Sequence, residues 1–346
     1  MKTIGIDCRF AGGISGLGRY TREIVSALLH RNDPVRYVLF VRSENEEWIG
    51  RLPAESPHSL QIADINHYSF AEQIRFPRII RQSGIALLFS PHFNVPLLCP
   101  VPFVATVHDL ILHRYPNLSA CRQLAYRLQM AYTVRRAKAL CAVSPFTALE
   151  ICGAYGPKAH ATCRVTGEGV GDAFTPATAE SVLSVVRKYG LRPDFFLYIG
   201  SGKVHKNVSM LLEAFAALHD DQRHLVLVTG DRPDSSLPKN VLHLSQVEEA
   251  DLPALYSAAA CFVTASLYEG YGLPVAEALS SGCPVIAINC TAMLGTAAGA
   301  AVLVEPSAEA ITDAMRSPPK RPVAYNRPQW SLAAEATAQT LLKALR

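Results

Sequence analysis

The feature that most constrains this chain is an alternation of short apolar runs with amphipathic stretches, which occurs twice along its 346 residues. In the first half, the apolar runs are residues 2–7, 37–41, 86–90, 103–107 and 139–143. Helical patterns occur between them at residues 17–29, 70–82 and 119–136. Strands that alternate with helices form a parallel sheet covered on both faces, so this half predicts an α/β domain.

The alternation stops at residues 167–171, a glycine-rich segment, and then restarts. The second set of apolar runs is residues 195–199, 225–228, 241–244, 260–264, 284–288 and 301–304, and a last helical pattern covers residues 330–345. We therefore predict one Rossmann-like domain at residues 1–168, a second at residues 169–325, and a terminal helix within residues 326–346. Because open parallel sheets bind ligands at the carboxyl ends of their strands, we expect the two domains to face each other across a binding cleft.

Composition excludes several classes of protein. The chain has 33 Lys and Arg residues against 29 Asp and Glu residues, a formal charge of +4 that is too dilute for a nucleic-acid-binding protein. With 49% hydrophobic and 18% charged residues, it is not an intrinsically disordered chain. Its best candidate for a membrane span, residues 95–107, is short and broken by prolines.

The nine cysteines include no C-x-x-C pair, so the spacing of a zinc ribbon or a thioredoxin-type motif is lacking. An odd number of cysteines without a signal peptide predicts reduced thiols in a cytoplasmic protein.

A glycine loop follows the first predicted strand and contains Gly12, Gly13, Gly16 and Gly18. Backbone amides at such a helix start can hold a phosphate, but the same glycines are equally typical of a turn with positive φ. The spacing is not the dinucleotide-binding G-x-G-x-x-G, because Thr21 stands where the third glycine belongs. This argues against a nicotinamide-dependent dehydrogenase.

The most specific motif is Glu269-Gly-Tyr-Gly-Leu-Pro-Val-Ala-Glu277, between an apolar strand and a helix. Its glycines allow a tight fold that leaves the amides of Gly272 and Leu273 at a helix N-terminus, where they could hold a diphosphate. The two glutamates could bracket a ligand, with Glu269 accepting hydrogen bonds from hydroxyls and Glu277 from a ribose. The alternative is that both are ordinary solvated carboxylates.

These residues resemble the GT-B-fold glycosyltransferases of the large retaining family four. The resemblance implies that the terminal helix within residues 326–346 crosses back and packs on the first domain. Residues 269–277 are similar to the E-x7-E motif of that family, and residues 278–286 to its usual continuation. Residues 5–9, 16–20 and 106–110 resemble the mannosyltransferase-like branch that builds bacterial polysaccharides.

The resemblance implies a donor site. In it, Glu269 contacts the donor sugar, Glu277 the nucleoside ribose, and the amides of Gly272 and Leu273 the diphosphate. It also maps residues 200–207 onto a phosphate-binding loop, in which Lys206 is the cation for the leaving diphosphate. The full donor-binding set is then Gly16, Ser201, His205, Lys206, Glu269, Gly270, Tyr271, Gly272, Leu273 and Glu277.

The chain departs from the family pattern at two positions in this loop. Ser201 and His205 stand where many members have arginine, so one positive charge at the phosphates is either missing or dependent on pH.

His108 follows the predicted strand at residues 103–107, and a lone histidine there is more often structural than catalytic. The resemblance favours the catalytic interpretation instead, because it implies that His108 hydrogen-bonds the transferred sugar. The predicted catalytic residues are then His108, Glu269 and Lys206. On the acceptor side we place Gly13, Arg19, His92 and Asp109.

We predict no metal site, because His108 and His113 have no third ligand at a suitable spacing. The resemblance agrees, since members of the family typically work without a metal. The expected partner is a nucleotide-diphospho-sugar, which is a substrate rather than a cofactor.

Two predicted helices of the first half carry basic residues among apolar ones, including Arg122, Arg127 and Arg135. They are either ordinary solvated faces or a surface that contacts anionic lipid at the cytoplasmic face of the inner membrane, near a lipid-linked acceptor.

Together these features predict a retaining hexosyltransferase. It would transfer a sugar, with mannose from GDP-mannose as the best candidate, to a lipid-linked or oligosaccharide acceptor in bacterial polysaccharide or O-antigen synthesis. Two alternatives stay open on the same architecture: a non-hydrolysing sugar-nucleotide epimerase, and a non-catalytic sugar-nucleotide-binding subunit.

Overall fold

The computed structural model describes residues 1–13, 16–53, 56–192, 194–230, 237–322 and 324–346, which form two compact units. Unit 1 comprises Met1–Gly169 and Gln329–Arg346, and unit 2 comprises Val170–Pro328. Each unit contains one parallel sheet. Of the predicted glycine loop, Ile14 and Ser15 lie outside the described residues.

Unit 1 is built on a seven-stranded sheet with the strand order β3-β2-β1-β4-β5-β6-β7. Its strands are β1 (Lys2–Asp7), β2 (Val35–Val41), β3 (His58–Ile62), β4 (Leu87–Ser90), β5 (Phe103–Val107), β6 (Ala139–Ala142) and β7 (Cys163–Val165). All neighbouring strands pair in parallel. Every residue of β4 and β5 is buried, as expected for central strands covered on both faces.

The helices of unit 1 connect these strands and cover the sheet. They are α1 (Gly16–Leu29), α2 (Phe70–Gln82), α3 (Ile111–Arg114), α4 (Ala120–Arg136), α5 (Pro145–Tyr155) and α6 (Pro157–Thr162), with a 3₁₀ turn at Glu47–Arg51. The last helix of the chain, α13 (Trp330–Ala344), also belongs to this unit and packs on α1, β5 and β6. Gly169 lies so close to Trp330 that a Cβ at residue 169 would come within 2.4 Å of the Trp330 backbone nitrogen.

Unit 2 is built on a six-stranded parallel sheet with the order β10-β9-β8-β11-β12-β13. Its strands are β8 (Phe195–Ile199), β9 (His224–Val228), β10 (Val241–Leu244), β11 (Cys261–Thr264), β12 (Val285–Ile288) and β13 (Val302–Val304). Its helices are α7 (Ala179–Lys188), α8 (Val208–Ala216), α9 (Leu252–Ala258), α10 (Leu273–Ser280), α11 (Met293–Ala297) and α12 (Ala308–Arg316), with 3₁₀ turns at Val204–Lys206 and Glu249–Asp251.

The prediction of two parallel-sheet α/β domains is confirmed. The sequence pattern missed β3 and β7, which form the two edges of the unit 1 sheet. Both strands carry exposed polar residues, because an edge strand is not buried on every side and so lacks a continuous apolar run.

Within the ranges that the structure describes, no helix combines the length and the apolar character needed to cross a membrane.

Candidate functional site

The predicted donor-site residues of unit 2 lie where β8 and β11 end. After β8 the chain passes through residues 200–203 into the 3₁₀ turn at Val204–Lys206, and after β11 it forms the loop 265–272. The Leu267 N–H donates a hydrogen bond of 2.8 Å to the carbonyl of His205, so the two loops are tied together. Lys206 Nζ lies 2.5 Å from Glu269 Oε1, and both side chains are largely buried. The structure therefore brings together two of the three residues predicted to be catalytic.

A third loop supports this pair. The Glu269 N–H donates to Thr291 Oγ1 at 2.9 Å, and Thr291 follows β12 with a positive φ of 48°. Thr291 thus positions the backbone that carries Glu269. No sequence pattern indicates this contact, because a threonine in a loop is common and its partner is 22 residues away.

The helix start predicted at Gly272 is present. Gly272 precedes α10 with φ of 95°, and a Cβ there would come 3.1 Å from Met293 Sδ, so glycine suits both the conformation and the space. Leu273 is the first residue of α10, and Pro274 lies in its first turn. The first amides of a helix have no partner within the helix, and the helix dipole favours an anion there.

The loop just before Gly272 is fixed at Tyr271, whose carbonyl accepts a hydrogen bond from the Thr296 hydroxyl. Gly270 and Tyr271 are both half-buried.

His205 is buried beside Lys206, which decides its charge. Burial and the nearby Lys206 ammonium lower the pKa of His205 to about 4, with Glu269 opposing the shift. His205 is therefore neutral at neutral pH. His205 stands where many family members have arginine, and the sequence left open whether that positive charge is missing or dependent on pH. The structure supports the first interpretation, in which the charge is missing.

Ser201 and Glu277 each accept a hydrogen bond from a tyrosine hydroxyl. The Tyr198 hydroxyl donates to the Ser201 carbonyl at 3.0 Å. The Tyr256 hydroxyl donates to Glu277 Oε2 at 3.1 Å, inside the core beneath α10. Glu277 is therefore an anchored, buried carboxylate, and its contact with a ribose stays a prediction.

In unit 1, His108 is the centre of a buried hydrogen-bonded group at the end of β5. Its Nε2 donates to the Pro91 carbonyl at 2.8 Å, and its Nδ1 lies 3.2 Å from Glu168 Oε1. A carbonyl can only accept, so Nε2 carries a hydrogen, and the Nδ1–Glu168 contact then requires one further proton shared by the pair. Burial by itself lowers the pKa of His108, but the hydrogen bond and charge of Glu168, the Pro91 carbonyl and Asp109 outweigh it and raise this pKa.

Glu168 was not predicted as the partner of His108, although it stands between Gly167 and Gly169 in the segment interpreted as a linker. The sequence feature that could have pointed to a role for Glu168 is the position of this carboxylate between two glycines. The hydrogen bond predicted between His108 and the transferred sugar stays a prediction; formed by Nε2, it would replace the bond to Pro91.

The residues predicted on the acceptor side lie in unit 1. Asp109 Oδ1 accepts a hydrogen bond of 2.9 Å from the N–H of Ile111, the first residue of the short helix α3. The Gly13 carbonyl accepts from Arg22 Nη1 at 2.9 Å, which fixes the glycine loop over α1. Arg19 is half-buried on α1.

Gly16, predicted to bind the donor, is the exposed first residue of α1 and belongs to unit 1, whereas Lys206 and Glu269 belong to unit 2. His92 is half-buried after β4, with its ring centroid 6.3 Å from that of His108.

Arg122, Arg127 and Arg135 are all exposed on α4. Among the described residues, no group of three or more His, Cys, Asp or Glu side chains is arranged to hold a metal ion.

The sequence of this chain matches two models of known protein families. Residues 14–170 match the family model described as Glycosyltransferase Family 4, and residues 193–317 match the model described as Glycosyl transferases group 1. The two matches together span most of the chain.

Curated relatives are similar over much of their length. The chain is 26% identical over 324 residues to the O-antigen chain mannosyltransferase B of Escherichia coli, covering 85% of this chain and 84% of that protein. It is 24% identical over 252 residues to the O-antigen chain mannosyltransferase RfbU of Salmonella typhimurium, and the match covers 70% of this chain and 67% of that protein.

Among solved structures, Anabaena Alr3699/HepE in complex with UDP-glucose matches with a TM-score of 0.69 at 15% identity, covering 99% of this chain and 95% of that one. At this identity the likeness establishes the fold alone.

Proposed function

The chain belongs to the family 4, group 1 glycosyltransferases and has their GT-B fold, and from this premise we propose that it transfers mannose from GDP-mannose with retention of configuration. The acceptor in this proposal is a lipid-linked or oligosaccharide glycan of bacterial polysaccharide synthesis. The curated relatives named as O-antigen mannosyltransferases support the choice of sugar and pathway.

The main observation that supports the proposal is the contact between Lys206 and Glu269 beside the start of α10. Breaking the bond between the anomeric carbon and the diphosphate leaves negative charge on the phosphate oxygens. A Lys206 ammonium and the first amides of α10 stabilise such charge, and they do so more strongly in a partly buried site than in water. Glu269, which holds Lys206 in place, is an acceptor for sugar hydroxyls.

The proposed chemistry is a same-face displacement. The acceptor hydroxyl oxygen forms the new bond to the anomeric carbon while the bond to the diphosphate breaks. The departing phosphate oxygen takes the proton of that hydroxyl, so the products are the glycoside and the nucleoside diphosphate. No metal ion is required in this scheme, because Lys206 and helix amides carry the electrostatic part.

A panel of GDP-, UDP- and ADP-sugars with and without oligosaccharide acceptors tests the reaction class. Acceptor-dependent transfer of a mannosyl group from GDP-mannose, with an α-linked product by NMR, is the expected result. Conversion of the donor to its epimer would instead identify a sugar-nucleotide epimerase. Tight nucleotide binding without turnover in any combination would identify a non-catalytic binding subunit.

The nucleotide is tested separately by thermal denaturation. A ligand that binds only the folded protein raises its apparent stability by mass action. We expect GDP to raise the Tm more than UDP or ADP at equal concentration, and a larger shift with UDP would contradict the proposed donor.

We also propose that unit 1 contacts anionic lipid at the cytoplasmic face of the inner membrane. The helix α4 exposes Leu124 and Leu128 beside the basic residues Arg122 and Arg127. Exposed apolar side chains interleaved with arginine are typical of surfaces that lie at a lipid interface.

The loop that contains Leu97 and Leu98 extends this surface, which we call the basic-apolar face. Leu98 is 75% exposed. Tyr132 of α4 donates its hydroxyl to the Leu97 carbonyl at 2.6 Å, and the Leu97 N–H donates to Gln73 of α2 at 2.9 Å. The loop is thus held between α4 and α2, and α2 adds the exposed side chains of Phe70, Ile74, Arg75 and Arg78.

Vesicle sedimentation tests the basic-apolar face. Binding to anionic vesicles, but not to zwitterionic ones, should decrease with rising salt and with reversal of Arg122, Arg127 and Arg135 to glutamate. A matched control reverses the exposed Arg187 and Lys239 of unit 2. Binding that is insensitive to the three unit 1 reversals removes the membrane proposal.

A further inference from the structure

A cluster of rings lies in unit 1 and includes residues to which no role has been assigned above. The ring cluster consists of Phe10 after β1, His67 and Tyr68 after β3, and His92 after β4. Phe10 stacks on His67 with 3.3 Å between centroids, and it lies 5.0 Å from His92. Tyr68 stands nearly perpendicular to His92 at 6.2 Å. The cluster therefore forms at the carboxyl ends of the strands, where open parallel sheets bind their ligands.

Tyr68 combines an exposed ring with an uncommon backbone conformation. Its side chain is 63% exposed although it is a large aromatic residue, and its φ is 56°. A non-glycine residue in this left-handed region costs about 1–3 kcal/mol, and such strain is concentrated at functional sites.

A buried ionic network holds Tyr68 in this conformation. The Tyr68 N–H donates to Glu72 Oε2 at 2.8 Å. Glu72 is fully buried and is fixed by Arg9 at 2.7 Å and by the side chain of Asn94 at 3.0 Å. Arg9 also pairs with Asp7 at 2.7 Å. Arg9 therefore joins the two buried carboxylates of Asp7 and Glu72, and the hydrogen bond that the Tyr68 N–H donates to Glu72 fixes the backbone of Tyr68 in its left-handed conformation.

The protonation state of His92 follows from its partners. The Asn94 N–H donates to His92 Nδ1 at 3.2 Å, so Nδ1 accepts and the hydrogen of the neutral ring is on Nε2. Burial, with His108 and His67 nearby, lowers the pKa of His92 and keeps the ring neutral. Among the described residues, nothing accepts a hydrogen bond from Nε2.

We propose that Tyr68 and His92 form a subsite for a neutral pyranose unit of the acceptor glycan. The apolar face of the sugar stacks on the exposed Tyr68 ring, and a sugar hydroxyl accepts a hydrogen bond from His92 Nε2. The subsite favours a neutral sugar over a phosphorylated one because the network beside it has two carboxylates, Asp7 and Glu72, against the one guanidinium of Arg9, and this excess of negative charge repels a phosphate. The inference rests on the proposed function and adds to it the chemistry of the sugar that is recognised.

Acceptor kinetics with a soluble neutral oligosaccharide test the stacking. Tyr68→Asn removes the ring while tolerating the left-handed backbone, and it should raise KM for the acceptor about tenfold with KM for the donor unchanged. Tyr68→Phe keeps the ring and should stay within about twofold of wild type. The control is Leu149→Ala, which removes an exposed apolar side chain of α5 outside the cluster. An effect of Leu149→Ala as large as that of Tyr68→Asn, or a Tyr68→Phe variant as impaired as Tyr68→Asn, overturns the subsite.

Saturation-transfer NMR separates this inference from the proposed function, because it needs no donor. Methyl α-mannopyranoside should receive saturation at its ring protons from wild type and from Leu149→Ala, and not from Tyr68→Asn. Mannose 6-phosphate should bind more weakly than the methyl glycoside. Equal signals from wild type and Tyr68→Asn, or a preference for the phosphorylated sugar, contradict the subsite even if transfer is observed. An inactive enzyme that shows the expected NMR pattern contradicts the proposed function alone.

Discussion

Each unit contains a cation–carboxylate pair at the carboxyl ends of its strands, and the two pairs differ in what they can offer a ligand. In unit 1, His108 faces Glu168, and both of its ring nitrogens are directed at protein acceptors. In unit 2, Lys206 faces Glu269, and an ammonium has three N–H donors where an imidazolium has two.

The difference shows that similar pairs can serve different purposes. The His108–Glu168 pair shares a proton, and its geometry leaves no ring nitrogen without a protein acceptor. In the Lys206–Glu269 pair, the Lys206 ammonium can direct a further N–H towards a diphosphate. We therefore expect substitutions in the unit 2 pair to affect catalysis most, and substitutions in the unit 1 pair to affect stability and its dependence on pH.

The largest expected effect is the loss of transfer activity in Lys206→Ala and in Glu269→Ala. Removing one group that stabilises transition-state charge costs a factor of about 100 or more in kcat/KM. Circular dichroism should show that both variants stay folded. Lys239→Ala is the control, because Lys239 is an exposed lysine of the same unit. Near-normal rates in both pair variants would refute the donor-site assignment.

A smaller effect is expected on stability when Glu168→Gln removes the charge that holds His108. At pH 6 the free energy of unfolding should fall by about 1.5–3 kcal/mol, the range for a hydrogen bond to a charged group. The folded-state pKa of His108 is raised, so its contribution is fully present below the ordinary histidine pKa of about 6.5 and is lost as pH rises through the raised value. The difference between wild type and variant should therefore shrink as pH increases.

Urea denaturation at a series of pH values measures this difference. The exposed Glu180→Gln provides the control, with no pH-dependent change expected. A difference for Glu168→Gln that is constant or grows with pH would contradict the assignment of the proton to this pair.

A weaker effect concerns His205, the histidine of the unit 2 site. Because its pKa is about 4, it does not change charge between pH 6 and pH 8. We expect the pH dependence of GDP affinity in this range to be parallel for wild type and His205→Gln, as measured by isothermal titration. A titration step near pH 6.5 in wild type that is absent from His205→Gln would disprove this.

The smallest effect is expected from metal removal. If Lys206 and helix amides supply the electrostatic stabilisation, transfer measured in EDTA should equal transfer measured with added Mg²⁺ or Mn²⁺. A rate that drops in EDTA and recovers on addition of one of these ions would show that the Lys206–Glu269 pair does not act alone.

Much of the fold could be predicted, because a central parallel strand is buried on both faces and leaves a continuous apolar run in the sequence. The bounds of the central strands β5 and β8 were predicted to the residue. The edge strands β3 and β7 were missed, since they are stabilised by pairing with a neighbour rather than by burial of an apolar run.

The candidate site was predictable where its residues are close in sequence. The glycine and proline positions of 269–274 by themselves indicated a tight loop and a helix start, which α10 confirms. Partners that are distant in sequence left no such pattern. Glu168 reaches His108 across 60 residues, and Glu72 reaches Arg9 across 63.

The sequence by itself determined the two parallel-sheet domains, the family and the residues that carry charge in the donor loops. Burial patterns and local helix signals are properties of neighbouring residues, so they can be seen in the chain. Only the tertiary structure decided which charges are neutralised: the neutral state of His205, the shared proton of His108 and Glu168, and the strained Tyr68 above its buried ionic network. The reason is physical, because a pKa and a hydrogen bond depend on distance and burial in space, and sheet topology sets both between residues far apart in sequence.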